Sequence, residues 1–159
     1  MVTASLADLG PAFVVLGSGE ARYEHMWRTL AARRPDRFGV RLGFDEHLAH
    51  LIEGGADMFL MPSRYEPCGL NQMYSLRYGT VPIVRATGGL VDSVVPWDGA
   101  RKKGTGFLFA DYSGDAMLAA PDRGRARVRG PQGLDAAAAE RHEGRLFVGQ
   151  GGEGLRDGV

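Results

Sequence analysis

Between Phe13 and about Ala119, short wholly apolar runs alternate with helix-like segments, and that rhythm leaves few architectures open. A strand that is apolar at every position has to be covered on both faces, which a parallel sheet with crossover helices provides. Phe13-Val14-Val15-Leu16 is such a run, ended by Gly17-Ser18-Gly19 and followed by helix formers from Glu20 to Arg34, with Pro35 closing them. Phe38 to Leu42 reads as the second strand. Asp45 suits the N-cap of a helix through Glu53, and Gly54-Gly55 supplies its stop. Met58-Phe59-Leu60-Met61 is the third strand, ended by Pro62, and a helix should run from near Gly69 over Leu70 to Tyr78 and stop at Gly79. Val81-Pro82-Ile83-Val84 returns as the fourth strand. After Gly88-Gly89-Leu90, a short turn or helix leads through a polar loop, Asp98 to Thr105, to Gly106-Phe107-Leu108-Phe109, an edge strand. The expected fold class is α/β, a Rossmann-like parallel sheet with crossover helices.

Beyond Ala120 the texture changes to an irregular tail with seven Arg, no Lys and nine Gly in 39 residues, and no amphipathic period survives. The reading is therefore one domain over residues 8–120 and a disordered tail over 121–159. An RNA-binding Arg/Gly segment is disfavoured, because acidic residues interleave and Phe147 is its sole aromatic.

Charge and cysteine content narrow the function classes. Nineteen basic and nineteen acidic residues cancel, which removes the electrostatic case for nucleic acid or an anionic membrane as partner. Cys68 is the single cysteine, so an internal disulfide is impossible and a reducing, cytoplasmic setting is expected. The first apolar run is too short for a signal core or a membrane span.

The stretch Met61-Pro62-Ser63-Arg64-Tyr65-Glu66-Pro67-Cys68-Gly69-Leu70-Asn71-Gln72-Met73-Tyr74 lies where a strand ends and a helix begins. In open α/β sheets, ligands collect at the carboxyl ends of the strands. Gly69 has no side chain to block a ligand, and the amides of Cys68, Gly69 and Leu70 face a helix start that favours phosphate. Glu66 has the wrong charge for phosphate and suits neutral donors such as sugar hydroxyls, while Arg64 can answer either its charge or a phosphate's. Spacing alone accommodates equally an ordinary strand-to-helix turn with Glu66 solvated.

The run from Ala56 to Leu90, with its EPCGLNQM and TGGL wording, resembles the nucleotide-sugar-binding domain of the bacterial glycogen synthase and plant starch synthase family, and the likeness covers roughly residues 8 to 118. The resemblance implies a partial second domain of a GT-B glycosyltransferase, lacking the Arg and Lys found near the start of that domain, and facing a missing N-terminal GT-B domain that holds most of the acceptor. It implies transfer of glucose from an ADP-glucose donor to the nonreducing end of an α-1,4-glucan acceptor, with retention, and with no cofactor or metal. Residue by residue, Glu66 is the implied catalytic position, binding the donor glucose. Cys68, Gly69 and Leu70 match the segment against that glucose and the diphosphate. Phe44 matches an aromatic position stacked on adenine, and Thr87, Gly88 and Gly89 match the turn near the donor's phosphates. Arg64 completes the nucleotide-sugar set. Tyr74 stands where many related transferases place a second Glu, which narrows the likeness to the glycogen synthase branch. The alternative is a non-catalytic fragment or interaction module retaining at most weak ADP or ADP-glucose binding.

Other signals carry less. Gly17-Ser18-Gly19 opens like a dinucleotide fingerprint, but Arg22 stands at the third glycine position. His47 and His50 share a helix face without a third ligand. Trp27 reads as a helix-face residue and Trp97 as a loop anchor. With synonymous codons chosen freely and the frame shifted by one base, residues 127–159 yield a sequence like the family's helical ending, with a family-like DFSW in place of Arg145-Leu146-Phe147-Val148. A frameshift near Ala119 to Pro121 is the resulting expectation.

Overall fold

The computed structural model describes residues 11–120 and the backbone of residues 145–149. Within them, β1 (Ala12–Gly17), α1 (Ala21–Arg33), β2 (Phe38–Leu42), α2 (Glu46–Gly55), β3 (Met58–Met61), α3 (Asn71–Tyr78), β4 (Val81–Arg85), α4 (Gly89–Ser93), β5 (Phe107–Phe109) and β6 (Arg145–Gly149) follow in order. Residues 114–120 are also helical. Every strand pair is parallel, in the order β2-β1-β6-β3-β4-β5. The α/β class and the parallel sheet with crossover helices are as the apolar rhythm indicates.

Period-two alternation distributes β1, β3 and β4 between two cores. Phe13, Phe38, Met58, Leu60, Val81 and Ile83 bury one face, packed by Trp27 and Leu30 of α1 and by Met117. Leu16, Phe59, Met61 and Val84 bury the other, packed by Leu48 and Ile52 of α2 and by Leu90 and Val94. The Phe13 and Phe38 rings stack at 5.2 Å, and Trp27 tilts onto Phe38 at 6.5 Å, which gives the expected helix-face tryptophan its partner.

Local signals act as the chemistry requires. The Asp45 side chain accepts from the Leu48 amide at 2.9 Å, capping α2. Gly79 ends α3 in the left-handed conformation, φ 84°, with its amide donating to the carbonyls of Leu76 and Ser75. One boundary differs: α2 runs through Gly54 and Gly55 and ends at Ala56, because Thr80 Oγ1 ties the carbonyls of Glu53 and Ala56 and holds the final turn. β5 closes the sheet as the expected edge strand, and pairing with β4 begins at Ile83, one residue past Pro82.

The tail expectation needs correction over residues 145–149. They form β6, inserted between β1 and β3, with Ala12–Leu16 in register with Arg145–Gly149 and Met58–Leu60 with Leu146–Val148. The physical reason is pairing demand. The inner edges of β1 and β3 would otherwise bury unpaired backbone groups, and Leu146-Phe147-Val148 is the tail's one run of bulky apolar residues. Residues 121–144 and 150–159 lie outside the described residues, and with them most of the shifted-frame reading.

Candidate functional site

The parallel sheet brings the carboxyl ends of β2, β3 and β4 to one side, and the segments that follow them carry the residues implied to bind the nucleotide-sugar, Phe44, Arg64, Glu66, Cys68, Gly69, Leu70, Thr87, Gly88 and Gly89. Two of these loops are brought together. The segment after β3, residues 62–70, packs directly on the turn after β4, residues 86–89.

Backbone contact makes this joint. Gly89 donates its amide to the Glu66 carbonyl at 3.1 Å. Gly88 has φ 48° and ψ −139°, a conformation that glycine adopts without strain. A Cβ on Gly88 would lie 1.9 Å from the Glu66 carbonyl oxygen, and one on Gly89 would lie 2.7 Å from the Cys68 carbonyl oxygen. Both glycines are thus required by the close approach of the Glu66–Cys68 backbone.

The Glu66 side chain is buried at 8% exposure, at odds with a solvated carboxylate on an ordinary turn. Ser63, also buried, donates through Oγ to Glu66 Oε2 at a long 3.5 Å. Next along the chain, Cys68 is exposed, and Gly69 takes φ 69°. A Cβ on Gly69 would meet the Gln72 amide oxygen at 2.4 Å, so this glycine answers a conformational and packing demand as well as leaving space for a ligand. Leu70 starts α3 and is 52% exposed. The first amides of α3 precede its first helical hydrogen bond, which Met73 donates to the Leu70 carbonyl at 2.9 Å, and this end of the loop has the partial positive charge of a helix N-terminus.

Gln72 escaped the sequence reading. It is fully buried, and its Nε2 lies 3.1 Å from the Cys68 carbonyl, 3.0 Å from the Gly69 carbonyl and 3.0 Å from Ser93 Oγ. Ser93 Oγ in turn donates to the Gly89 carbonyl at 2.8 Å. One amide thereby ties the loop after β3 to α4. An apolar environment around a glutamine in the first turn of a helix is the signal that could have found it, but its acceptors are backbone groups fixed only by tertiary structure.

Arg85 escaped as well. From the last position of β4, its Nη1 donates to the Arg64 carbonyl at 2.8 Å and the Ser63 carbonyl at 3.4 Å. Arg64 itself sits on the exposed part of the loop, and Thr87 is half-buried in the turn after β4. Phe44 follows β2, the strand at the far edge of the sheet from β5, with β1 and β6 between β2 and β3. Its ring is 91% exposed. The structure therefore joins Arg64, Glu66, Cys68, Gly69, Leu70, Thr87, Gly88 and Gly89 in one locus, and sets Phe44 apart on the same side of the sheet.

Beside this locus, His50 of α2 packs edge-on against Tyr74 of α3 at 5.4 Å and lies 3.8 Å through Nδ1 from Glu53 Oε2. Glu53 is 2% exposed, and burial pushes its carboxyl above the usual 4.5, opposed by the nearby His50. Among the described residues no group of three or more His, Cys, Asp or Glu is placed to hold a metal ion, and no helix is long and apolar enough to cross a membrane.

Residues 7–122 match the family described as glycosyl transferases group 1. A glycogen synthase of Koribacter versatilis (strain Ellin345) is 65% identical over 106 residues, covering 67% of this chain and 22% of that relative. A glycogen synthase of Myxococcus xanthus (strain DK1622) is 57% identical over 122 residues, 77% of this chain and 25% of that relative. The chain thus spans about a quarter of the length of these curated relatives. Among solved structures, the catalytic domain of starch synthase IV from Arabidopsis thaliana, bound to ADP and acarbose, is similar with a TM-score of 0.58 at 25% identity, over 82% of this chain and 36% of that one. Sucrose-phosphate synthase from Thermosynechococcus elongatus gives a TM-score of 0.60 at 26% identity, over 79% of this chain and 32% of that one.

Proposed function

Because the chain belongs to the group 1 glycosyl transferases, we propose that residues 8–120 are the nucleotide-sugar-binding part of a glycogen synthase. In this reading the whole enzyme, acting in the cytoplasm, transfers glucose from ADP-glucose to the nonreducing end of an α-1,4-glucan with retention. The observation that carries it is the buried Glu66, held by the Gly88-Gly89 turn at the carboxyl ends of two adjacent strands. A carboxylate shielded from bulk water at the carboxyl ends of the strands is suited to accept hydrogen bonds from sugar hydroxyls.

The positions of the loops support the assignments. Phe44 offers a free aromatic face for the adenine. The α3 start and the Thr87-Gly88-Gly89 turn flank the place of the diphosphate, and Arg64 adds a positive charge at the loop's exposed edge. Retention without a protein nucleophile calls for an oxocarbenium-like transition state in which the departing diphosphate keeps the attacking hydroxyl on its own face. The protein's part is then to stabilise the leaving group and orient the sugar. On this proposal the remaining cationic groups come partly from an Arg and Lys near the start of the second domain, and the acceptor contacts from the N-terminal GT-B domain.

A second reading is a non-catalytic module that keeps weak ADP or ADP-glucose binding. Titration calorimetry of the chain with ADP, ADP-glucose and UDP-glucose tests both. Binding of ADP-glucose in preference to UDP-glucose, weakened in Glu66→Gln, is expected. Heat from neither ADP nor ADP-glucose would sink the nucleotide-sugar assignment, and equal heats from the two sugars would sink the ADP preference. Glucan elongation by the chain alone would rule out the non-catalytic reading.

A further inference from the structure

Arg85 reaches across from β4 to the loop that carries Glu66. Its Nη1 bridges the carbonyls of Ser63 and Arg64 at 3.4 and 2.8 Å, while Ser63 Oγ contacts the Glu66 carboxylate. The guanidinium carbon stands 5.3 Å from the centre of the Tyr112 ring, and the following residue, Ala86, is pinned by its amide to the Phe109 carbonyl at 2.8 Å. A planar cation stacked on an aromatic face and donating to two successive carbonyls is fixed in direction as well as position. Its Nε is buried without an acceptor. A buried donor left unpaired is disfavoured, so the guanidinium is oriented for its contacts with the loop and the ring rather than for its own full satisfaction.

We infer that Arg85, held on Tyr112, is a positioning residue that sets the Ser63–Glu66 segment so that the Glu66 carboxylate addresses the donor sugar. It acts through the Ser63 and Arg64 carbonyls while its planar guanidinium lies over the Tyr112 ring, a combination that lysine, whose charge is a compact ammonium, does not reproduce. The inference rests on the reading of Glu66 as the sugar-binding carboxylate.

Discrimination between ADP-glucose and ADP tests it, because only the former presents a sugar to Glu66. Titration calorimetry on the whole chain compares Arg85→Ala, Arg85→Lys, Tyr112→Leu and Tyr112→Phe with Glu66→Gln. Arg85→Ala and Tyr112→Leu are expected to weaken ADP-glucose about tenfold, roughly one power of ten in Kd, with ADP affinity unchanged. Arg85→Lys should recover little of the loss, and Tyr112→Phe, which keeps the ring, should match the parent. Should Arg85→Ala fail to fold, Tyr112→Leu carries the comparison. Equal weakening of both ligands in Arg85→Ala and Tyr112→Leu marks a merely structural role and overturns the inference, as does no change in either. If Glu66→Gln is selective while the Arg85 and Tyr112 variants are not, the positioning role alone fails. If Glu66→Gln is itself unselective, the sugar-binding reading of Glu66 fails and takes the inference with it.

Discussion

Gly88 approaches Glu66 so closely that a single methyl group on it would overlap the Glu66 carbonyl oxygen, at 1.9 Å. The turn after β4 is thus a mould for the loop after β3, and the site is one packed object made from two loops. A helix start alone would give a cradle for charge. The mould adds a fixed place for a carboxylate.

Gly88→Ala is expected to be damaging on two counts. The φ 48°, ψ −139° backbone is unfavourable for alanine, at a cost on the order of 1–3 kcal/mol, and relief of the overlap moves the Glu66 carbonyl. Thermal melting should show a midpoint lower by several degrees, and calorimetry a loss of ADP-glucose affinity of about tenfold or more. A variant with parental melting and parental affinity would show that the two loops are free to separate.

Phe44 is the opposite case: on the proposed reading it is expected to matter for binding and little for folding. Its ring is 91% exposed, so Phe44→Ala should leave the melting midpoint unchanged. Loss of an aromatic stack of about 0.5–1.5 kcal/mol should weaken ADP by roughly threefold to tenfold. Phe44→Tyr should bind like the parent. An unchanged ADP affinity in Phe44→Ala would remove this residue from the site.

The buried Glu53 makes stability depend on pH in a stated direction. Its carboxyl holds a proton more tightly folded than unfolded, since burial raises it above 4.5. Stability is then greatest below about 4.5 as far as this group is concerned, and is lost as pH rises through the raised folded-state value. Urea unfolding across this range should show the decline in the parent chain and a flatter profile in Glu53→Gln. A parallel decline in both would assign the effect to other groups.

β6 invites a direct measurement. Hydrogen exchange followed by mass spectrometry should show peptides spanning 145–149 protected to the same degree as those of β1 and β3, the strands it joins. Exchange at 145–149 as fast as in an unstructured peptide, with β1 and β3 protected, would place some other strand between them.

The sequence was readable where structure is local. Met58–Met61 and Val81–Val84 are apolar at each position because both faces of an inner parallel strand are covered, and Asp45 and Gly79 mark helix ends through contacts within a few residues. The loop of Glu66 was found by its place between a strand and a helix. What escaped was long-range. Gln72 reaches Ser93, Arg85 reaches Ser63, and β6 finds β1 across most of the chain. Each of these partners is defined only once the sheet exists. Gly88 and Gly89 were singled out as ligand neighbours, and their demand for backbone space against Glu66 and Cys68 became visible only with both loops in place.

The sheet is not completed in the order in which it is synthesised. β6, made last, goes to the middle, so a growing chain that has finished β5 still holds two separate ribbons, β2-β1 and β3-β4-β5. At typical rates of synthesis the segment from Phe109 to Arg145 takes on the order of seconds to emerge. Throughout that interval the inner edges of β1 and β3 remain open to any extended segment that can pair with them. Holding those two edges apart from other chains is a task for the cell's chaperones before it is one for the fold.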